Sequence, residues 1–574
     1  MREQITSLRR VMEAQHIDAY LIPTTDFHGS EYIHDHFKVR AYISGFTGSA
    51  GTLLVTRDVA KLWTDGRYFL QAEKELAGSG IDLMKTGEPN VPSVFSYLGS
   101  VLQPGQTLAF DGRVMAYQQG QIFSAIYSIV HTEDPAEQIW PDRPEVFPSK
   151  IYPLPDTVTG ESCASKLGRL FGFLKKRRAD YHLITKLEDI AWLFNLRGSD
   201  INYTPVFFAY ALIIGDKINL YTMSEVSTTL PSNVQLRPYD AIYTDLAALP
   251  AGSMLLDQEI VSYSLVKALP DTVEIENSDN PVALMHALKN QVEIKSTKNA
   301  HLKDGLAMVN FIYWLKSHIH REKITEVSAA DYLEKCRRSQ EGCFDLSFDT
   351  ICGYEENGAI VHYSAKADTC KTLHPRGFLL VDSGGQYEDG TTDITRTIAL
   401  GPLSEEMKYH YTMVLRSHIA LATASFPART TGAQLDAIAR KPLHEQGLNY
   451  NHGTGHGVGH ILSVHEGPQT ISPKGTRYPL YPGMITSNEP GLYLEGQYGI
   501  RLENEILCRE NFSGAYGFQT ITLCPFERDA ILPQLLNVKE RKWLNAYHQK
   551  VYKTLSPFVD EEICSWLSQA TAAI

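Results

Sequence analysis

The chain reads as two related α/β domains followed by a larger α+β domain, and three observations predict this order. The segment "IDAYLIP" (17–23) is echoed by "ADYHLIT" (179–185), and each follows a basic helical stretch. A Pro-containing stretch, "IYPLPDT" (151–157), lies between the two as a joint. Beyond residue 290 the pattern changes to an amphipathic helix and then to strands and hairpins. At 574 residues the chain is too long for one core. The expected domains are 1–155, 156–290 and 291–574, the last with a C-terminal extension.

Each echo predicts a helix and then a short buried strand. Asp18 and Asp180 take matching places, as do Leu21 with Leu183 and Ile22 with Ile184. After the first echo come "ISGFTGSAGTLLV" and "KLWTDGRYF"; after the second, "FNLRGSD" and "FFAYALIIGDKINLYT". In the third domain Leu302, Leu306, Val309 and Tyr313 form the apolar stripe of a helix. "FLLVDSGGQYEDGTTDITRTIAL" predicts two β-rich runs about a Gly/Asp-rich turn. "MITSNEPGLY" and "YGIRLENEILC" predict further strands, and the tail after Asn537 a helix.

Composition limits the function. With 53 basic and 66 acidic residues the net charge is −13, which gives no electrostatic support to nucleic acid or an anionic membrane as partner. The longest apolar run, 206–214, is too short to span a bilayer, and the N-terminal stretch has no apolar core of a signal peptide. The eight cysteines are scattered with no C-x-x-C pair, which predicts free thiols in a reducing, cytoplasmic setting.

The chemistry gathers in the third domain. Asp382 ends an apolar strand, and Asp393 lies across the turn from it. Two carboxylates held so close repel unless a proton or a cation sits between them. Glu489 stands before Pro490-Gly491, and Arg501, Glu503 and Glu505 fall at every second position, so they share a face. Taken singly, each has a bland reading as a turn cap or solvated strand residue. "HGTGHGVGHILSVHEGP" (452–468) then packs four of the chain's 20 histidines beside five glycines. The spacing fits neither a zincin helix nor a dinucleotide loop. Here the glycines are expected to let the backbone, and a substrate, approach closely. Carboxylates with imidazole and no thiolate favour a hard divalent ion such as Mn²⁺ or Mg²⁺. Four negative charges suggest two ions, and a pair roughly 3.5 Å apart can activate a shared water for attack on a carbonyl.

The order Asp382, Asp393, His456, Glu489, Glu503, with "HGTGHGVG", "VHEGP", "NEPG" and "GIRLEN", resembles the pita-bread metallopeptidases. More narrowly it is similar to the cytosolic three-domain Xaa-Pro aminopeptidases. "LWTDGRYFLQA", "IAWLFNLRGSD", "DLSFDTI", "NGAIVHYSA" and "DGTTDITRT" extend the resemblance over the whole chain. It implies two creatinase-type N-terminal domains, a pita-bread catalytic domain and two divalent ions, with manganese favoured. It implies that Asp382 binds one metal, Asp393 and Glu503 bridge both, His456 is the imidazole ligand, and Glu489 is a ligand and proton shuttle. His362 and His465 would hold substrate and the developing oxyanion, His452 would line the pocket, and Arg501 would orient carboxylates. His460 lies outside the motif and receives no role. The implied substrates are peptides with proline second, and the implied assembly is a homodimer. A prolidase-like dipeptidase and a non-catalytic binding module are the alternatives; the repeated N-terminal architecture and the complete ligand set weigh against them.

Overall fold

The computed structural model describes residues 2–103, 105–132 and 134–574. By packing, the chain divides into two compact units: 2–156 with 161–283, and 157–160 with 284–574.

The first unit holds the two echoed segments. Helix Glu3–Ala14 buries Ile5, Leu8 and Met12, and helix Cys163–Arg177 buries Leu167, Leu170 and Leu174 at the same spacing. This spacing keeps one helical face apolar. Each helix is followed by a left-handed residue, His16 (φ 56°) or Arg178 (φ 57°), that turns the chain into its strand. Asp18 and Asp180 then play one role: each carboxylate accepts from a backbone N–H at the start of a neighbouring strand, Thr107 at 2.8 Å and Ser253 at 2.9 Å.

Both segments seed six-stranded sheets of one topology. The first runs Asp82–Lys85, Ala60–Thr64, Thr52–Thr56, Ala19–Pro23, Thr107–Asp111, Ser128–Thr132. The second runs Val234–Pro238, Lys217–Thr222, Ala209–Ile214, Tyr181–Ile184, Gly252–Leu256, Val273–Asn277. Pairings along each are parallel, antiparallel, antiparallel, parallel, parallel. The repeats meet reciprocally: Tyr117 N donates to Val261 O (2.9 Å) while Tyr263 N donates to Met115 O (2.7 Å). Such exchange is how like surfaces pair across a two-fold axis. One apolar core runs through both repeats. The stretch 151–157 is not a bare tether, since Ile151 is buried and Tyr152–Pro153 pairs with Leu196–Arg197.

The second unit is organised on helix Gln291–His318. Asn290 caps it, its Oδ1 accepting from Val292 N and Glu293 N while the Glu293 carboxylate accepts from Asn290 N. The stripe Leu302, Leu306, Val309 and Tyr313 packs into one core, and Ala307, Met308, Phe311, Ile312 and Leu315 pack into another. The helix is therefore wedged between two cores and buries more than one stripe.

Two antiparallel sheets position the site. A three-stranded sheet orders Ile351–Tyr354, Phe378–Ser383 and Ile394–Ala399. A six-stranded sheet orders Ser425–Phe426, Tyr516–Thr520, Asn504–Glu510, Ile485–Asn488, Gly455–Gly457 and Glu466–Ile471. The predicted turn between Asp382 and Asp393 is itself a small hairpin, Gly385–Tyr387 with Gly390–Thr391. Register pairs Asp382 with Thr395, so Asp393 sits just before its strand. "YGIRLENEILC" is two strands in different sheets, Tyr498–Arg501 and Asn504–Glu510, broken at Leu502-Glu503. The tail is helical over Val538–Leu555 and Glu561–Ala570. Among the described residues no helix is long and apolar enough to cross a membrane. All eight cysteines are free thiols.

Candidate dinuclear metal centre

Five acidic and imidazole side chains converge from the ends of these strands. Asp382 comes from Phe378–Ser383, Asp393 from the entry to Ile394–Ala399, and His456 from Gly455–Gly457. Glu489 follows Ile485–Asn488, and Glu503 precedes Asn504–Glu510. One donor atom of each of Asp382, Asp393 and Glu503 lies within 4.8 Å of the others. The same holds for His456, Glu489 and Glu503, and for Asp393, His456 and His465. Asp393, His456 and Glu503 each belong to two of these groups, and Asp393 and Glu503 are the two that join Asp382 to His456, an arrangement suited to two cations that share ligands.

The electrostatics are those of an unbalanced acid cluster. His456 Nε2 is 3.4 Å from Asp393 Oδ2 and 3.5 Å from Glu489 Oε1. Arg501 Nη2 donates to Asp382 Oδ2 at 2.6 Å. Thr395 Oγ1 donates to Glu503 Oε2 at 2.6 Å. Burial, with the neighbouring Asp382 and Glu489 charges, pushes the Asp393 carboxyl up to about 6, although His456 pulls against it. Glu489 and Glu503 are raised by the same burial and crowding. Burial alone would lower His456, but its hydrogen bond to Asp393 and the Glu489 charge outweigh that and push it up to about 10. Three buried oxygens, Asp382 Oδ1, Asp393 Oδ1 and Glu503 Oε1, have no hydrogen-bond partner among the described residues. Orphaned carboxylate oxygens turned into one space fit divalent cations.

The remaining predicted residues surround this cluster. Arg501 also donates Nη1 to Tyr493 Oη at 2.7 Å. Tyr493 Oη in turn lies 2.8 Å from His452 Nε2, whose Nδ1 faces Gly453 O at 2.7 Å. The last contact places the proton on Nδ1, so Nε2 accepts from the tyrosine. His465 stands edge-on to His456, ring centroids 4.3 Å apart. His362 is half-buried and outside the three donor groups, next to Val361, whose carbonyl accepts from Arg501 Nη2 at 3.4 Å. His460 joins helix Gln291–His318 through Thr297 Oγ1 (3.1 Å) and reaches Val158 O (3.2 Å), a structural tie.

Two glycines of the His-rich stretch do let the backbone approach closely. A Cβ on Gly455 would lie 2.1 Å from Ser487 O, and one on Gly457 would lie 2.0 Å from Glu466 O. The close approach is strand to strand, and it seats His456 between two backbones.

Sequence reasoning missed the residues that support the cluster. Glu505 Oε1 accepts from Asp393 N at 2.9 Å, and Glu505 Oε2 is 3.1 Å from His301 Nε2 in a fully buried pair. Arg396 donates to Glu503 O at 2.6 Å, fixing the chain at the strand break. Tyr493 lies near Glu489 in sequence, and Glu505 lies on the face read for Arg501 and Glu503. Nothing local marked Arg396 or His301.

Comparison with known proteins agrees with this geometry. Residues 295–510 match metallopeptidase family M24, and 514–574 match the C-terminal region of peptidase M24. Residues 4–139 and 142–293 each match the creatinase/prolidase N-terminal domain. A probable Xaa-Pro aminopeptidase P of Laccaria bicolor is 39% identical over 98% of this chain and 92% of its own. The crystal structure of an X-prolyl aminopeptidase from Caenorhabditis elegans, described as a cytosolic enzyme with a di-nuclear active site, superposes with TM-score 0.94. It has 32% identity and covers 100% of this chain and 99% of that one. A prolidase from Pyrococcus horikoshii gives TM-score 0.51 at 26% identity, covering 63% of this chain and 99% of that one.

Fold and site thus define a pita-bread metallopeptidase carrying two creatinase-type N-terminal domains. Within that class the chain belongs to the Xaa-Pro aminopeptidase P family. It is a metallo-exopeptidase that removes the residue preceding proline from a peptide N-terminus.

Proposed function

We propose that this hydrolysis runs on a pair of divalent ions, manganese by preference, held by Asp382, Asp393, His456, Glu489 and Glu503. Asp393 and Glu503 would serve both ions, because each joins Asp382 to a group that contains His456. That overlap is the observation that carries the reading. An oxygen-rich set with one imidazole suits Mn²⁺ better than structural zinc. When bound, the pair supplies the Lewis acidity that makes water a nucleophile at neutral pH.

The chain's own residues do the rest. Arg501 neutralises Asp382 and holds Tyr493, so the carboxylate keeps one orientation. Glu489 Oε1, beside His456 Nε2 and 3.2 Å from Ser487 Oγ, takes the proton of the attacking water. It then returns that proton to the proline nitrogen as the bond breaks. His465 and His362 hold the substrate carbonyl and the oxyanion that develops from it. His452, fixed by Tyr493, lines the same pocket. Proline's nitrogen has no N–H, so binding there cannot rest on that donor. The domains are 1–155, 156–290 and 291–574; the enzyme is a cytoplasmic homodimer joined through the last of these, and light scattering is expected to give twice the mass of the chain.

The test is mass-spectrometric cleavage of an Arg-Pro-Pro peptide and an Xaa-Pro dipeptide by chelator-stripped protein, with and without Mn²⁺. Free arginine released only with metal is the expected result. Cleavage of the dipeptide alone would transfer the enzyme to prolidase chemistry.

A further inference from the structure

The loop that carries His362 leaves the short helical turn Glu355–Ala359 and returns at strand Phe378–Ser383. One side chain outside it ties down both its ends. Glu326 opens helix Glu326–Arg338 and is fully buried, 0% exposed. Its carboxylate accepts from Tyr354 N (2.7 Å), Asn357 Nδ2 (2.9 Å), Tyr363 Oη (2.9 Å) and Lys371 N (2.8 Å). Its own N–H donates to Lys371 O at 3.0 Å. Among the described residues no cationic side chain pairs with it.

A first-turn glutamate ordinarily faces solvent, and a buried carboxylate ordinarily has a cation. Glu326 has neither. Its charge is supported by backbone N–H groups, an amide, a phenol and the N-terminus of its own helix. Tyr363 is adjacent to His362, and burial together with the hydrogen bond to Glu326 pushes its phenol up, so it remains a donor. Every donor on the carboxylate belongs to strand Ile351–Tyr354, the following turn or the His362 loop. A structural glutamate would draw its partners from its own helix or from a core; this one takes two, Tyr363 and Lys371, from the loop and two, Tyr354 and Asn357, from the strand and turn that lead into it.

The geometry points to Glu326 as a positioning residue that sets where His362 meets the substrate. This rests on the reading of His362 given above. Glu326→Gln keeps the shape but turns an NH₂ group toward donors, which displaces the loop. Displacements on the order of 1 Å at such a distance cost about 10²-fold in rate.

The experiment is a double-mutant cycle on kcat/KM for an Arg-Pro-Pro peptide, with metal content and backbone hydrogen exchange measured on each variant. Glu326→Gln is expected to lower kcat/KM about 10²-fold while leaving bound metal unchanged and speeding exchange over 360–371. In the His362→Ala background it is expected to cost less than about 2-fold, because both act through one group. The same cycle with Tyr363→Phe, which keeps the buried ring, is expected to show a smaller loss with the same non-additivity, and it decides the matter if Glu326→Gln does not fold. Full additivity in the His362→Ala background, or metal lost with activity, would overturn the role of Glu326. If His362→Ala alone leaves kcat/KM unchanged, the assignment of His362 fails, and the positioning role fails with it.

Discussion

Two buried acidic sites in the second unit make opposite use of the same residue type. Asp304 is 2% exposed, with Arg337 Nε at 2.8 Å and Tyr387 Oη at 3.0 Å. Burial would raise its carboxyl, but Arg337 outweighs burial and holds it below the usual range. Asp393 is 3% exposed, and burial with like-charged neighbours raises it. At Asp304 one cation answers one anion. At Asp393 four carboxylates face one guanidinium, Arg501, and the imidazoles of His456 and His465. A balanced buried charge fastens the fold, whereas an unbalanced cluster is completed by a ligand.

Substitution at each centre tests that contrast most severely. Asp393→Ala is expected to lower kcat/KM at least about 10³-fold and to reduce bound metal, measured by elemental analysis; unchanged turnover would remove the bridging role. Asp304→Ala is expected to cost about 3–5 kcal/mol of stability, because Arg337 is left buried and unpaired. Denaturant unfolding measures this, and metal stoichiometry in the folded fraction should stay at the wild-type value.

Metal binding sharpens the comparison. In chelated protein Asp393 and His456 have raised folded pKa values, so the stability they contribute is present at low pH. It is lost as pH rises through about 6 and about 10 respectively. Divalent ions displace those protons. Mn²⁺ at about 100 times its Kd at pH 8 should stabilise by about 3 kcal/mol, and the same concentration should shift Tm less near pH 6, where protons compete for the ligands.

Acid also acts through two buried histidines outside the donor groups. His418 and His548 are buried and neutral, each lowered to about 3 by burial and the nearby Arg396. Their folded pKa lies below the unfolded value, so stability is whole above about pH 6.5 and declines toward pH 3. The slope is about 1.4 kcal/mol per pH unit for each. His418→Gln should flatten that slope in urea titrations. The smallest effect belongs to His460→Gln, which should change kcat/KM less than about 3-fold, since this histidine ties Thr297 to Val158 and belongs to none of the three donor groups.

Much of this was legible because it is local. The Ile5, Leu8, Met12 and Leu167, Leu170, Leu174 stripes, and the recurrence of Asp18 as Asp180, follow from periodicity and composition. The fixed order Asp382, Asp393, His456, Glu489, Glu503 carried the family resemblance. What reading along the chain left open was whatever depends on neighbours. The glycines at 455 and 457 make room for adjacent strands. The stripe on helix Gln291–His318 is one of two buried faces. "GIRLENEIL" is broken so that Arg501 and Glu503 reach the site from different sheets.

By itself the sequence determined the helices, the repeat, the ligand types and their order, since each depends on side chains a few positions apart. Only the tertiary structure decided which oxygens lack partners, that Glu505 and Arg396 hold the chain beside Asp393 and Glu503, and that Glu326 grips the His362 loop. Those contacts join residues far apart in sequence. Whether a buried carboxylate is satisfied depends on every donor within about 3 Å of it, and that distance exists only once the chain has folded.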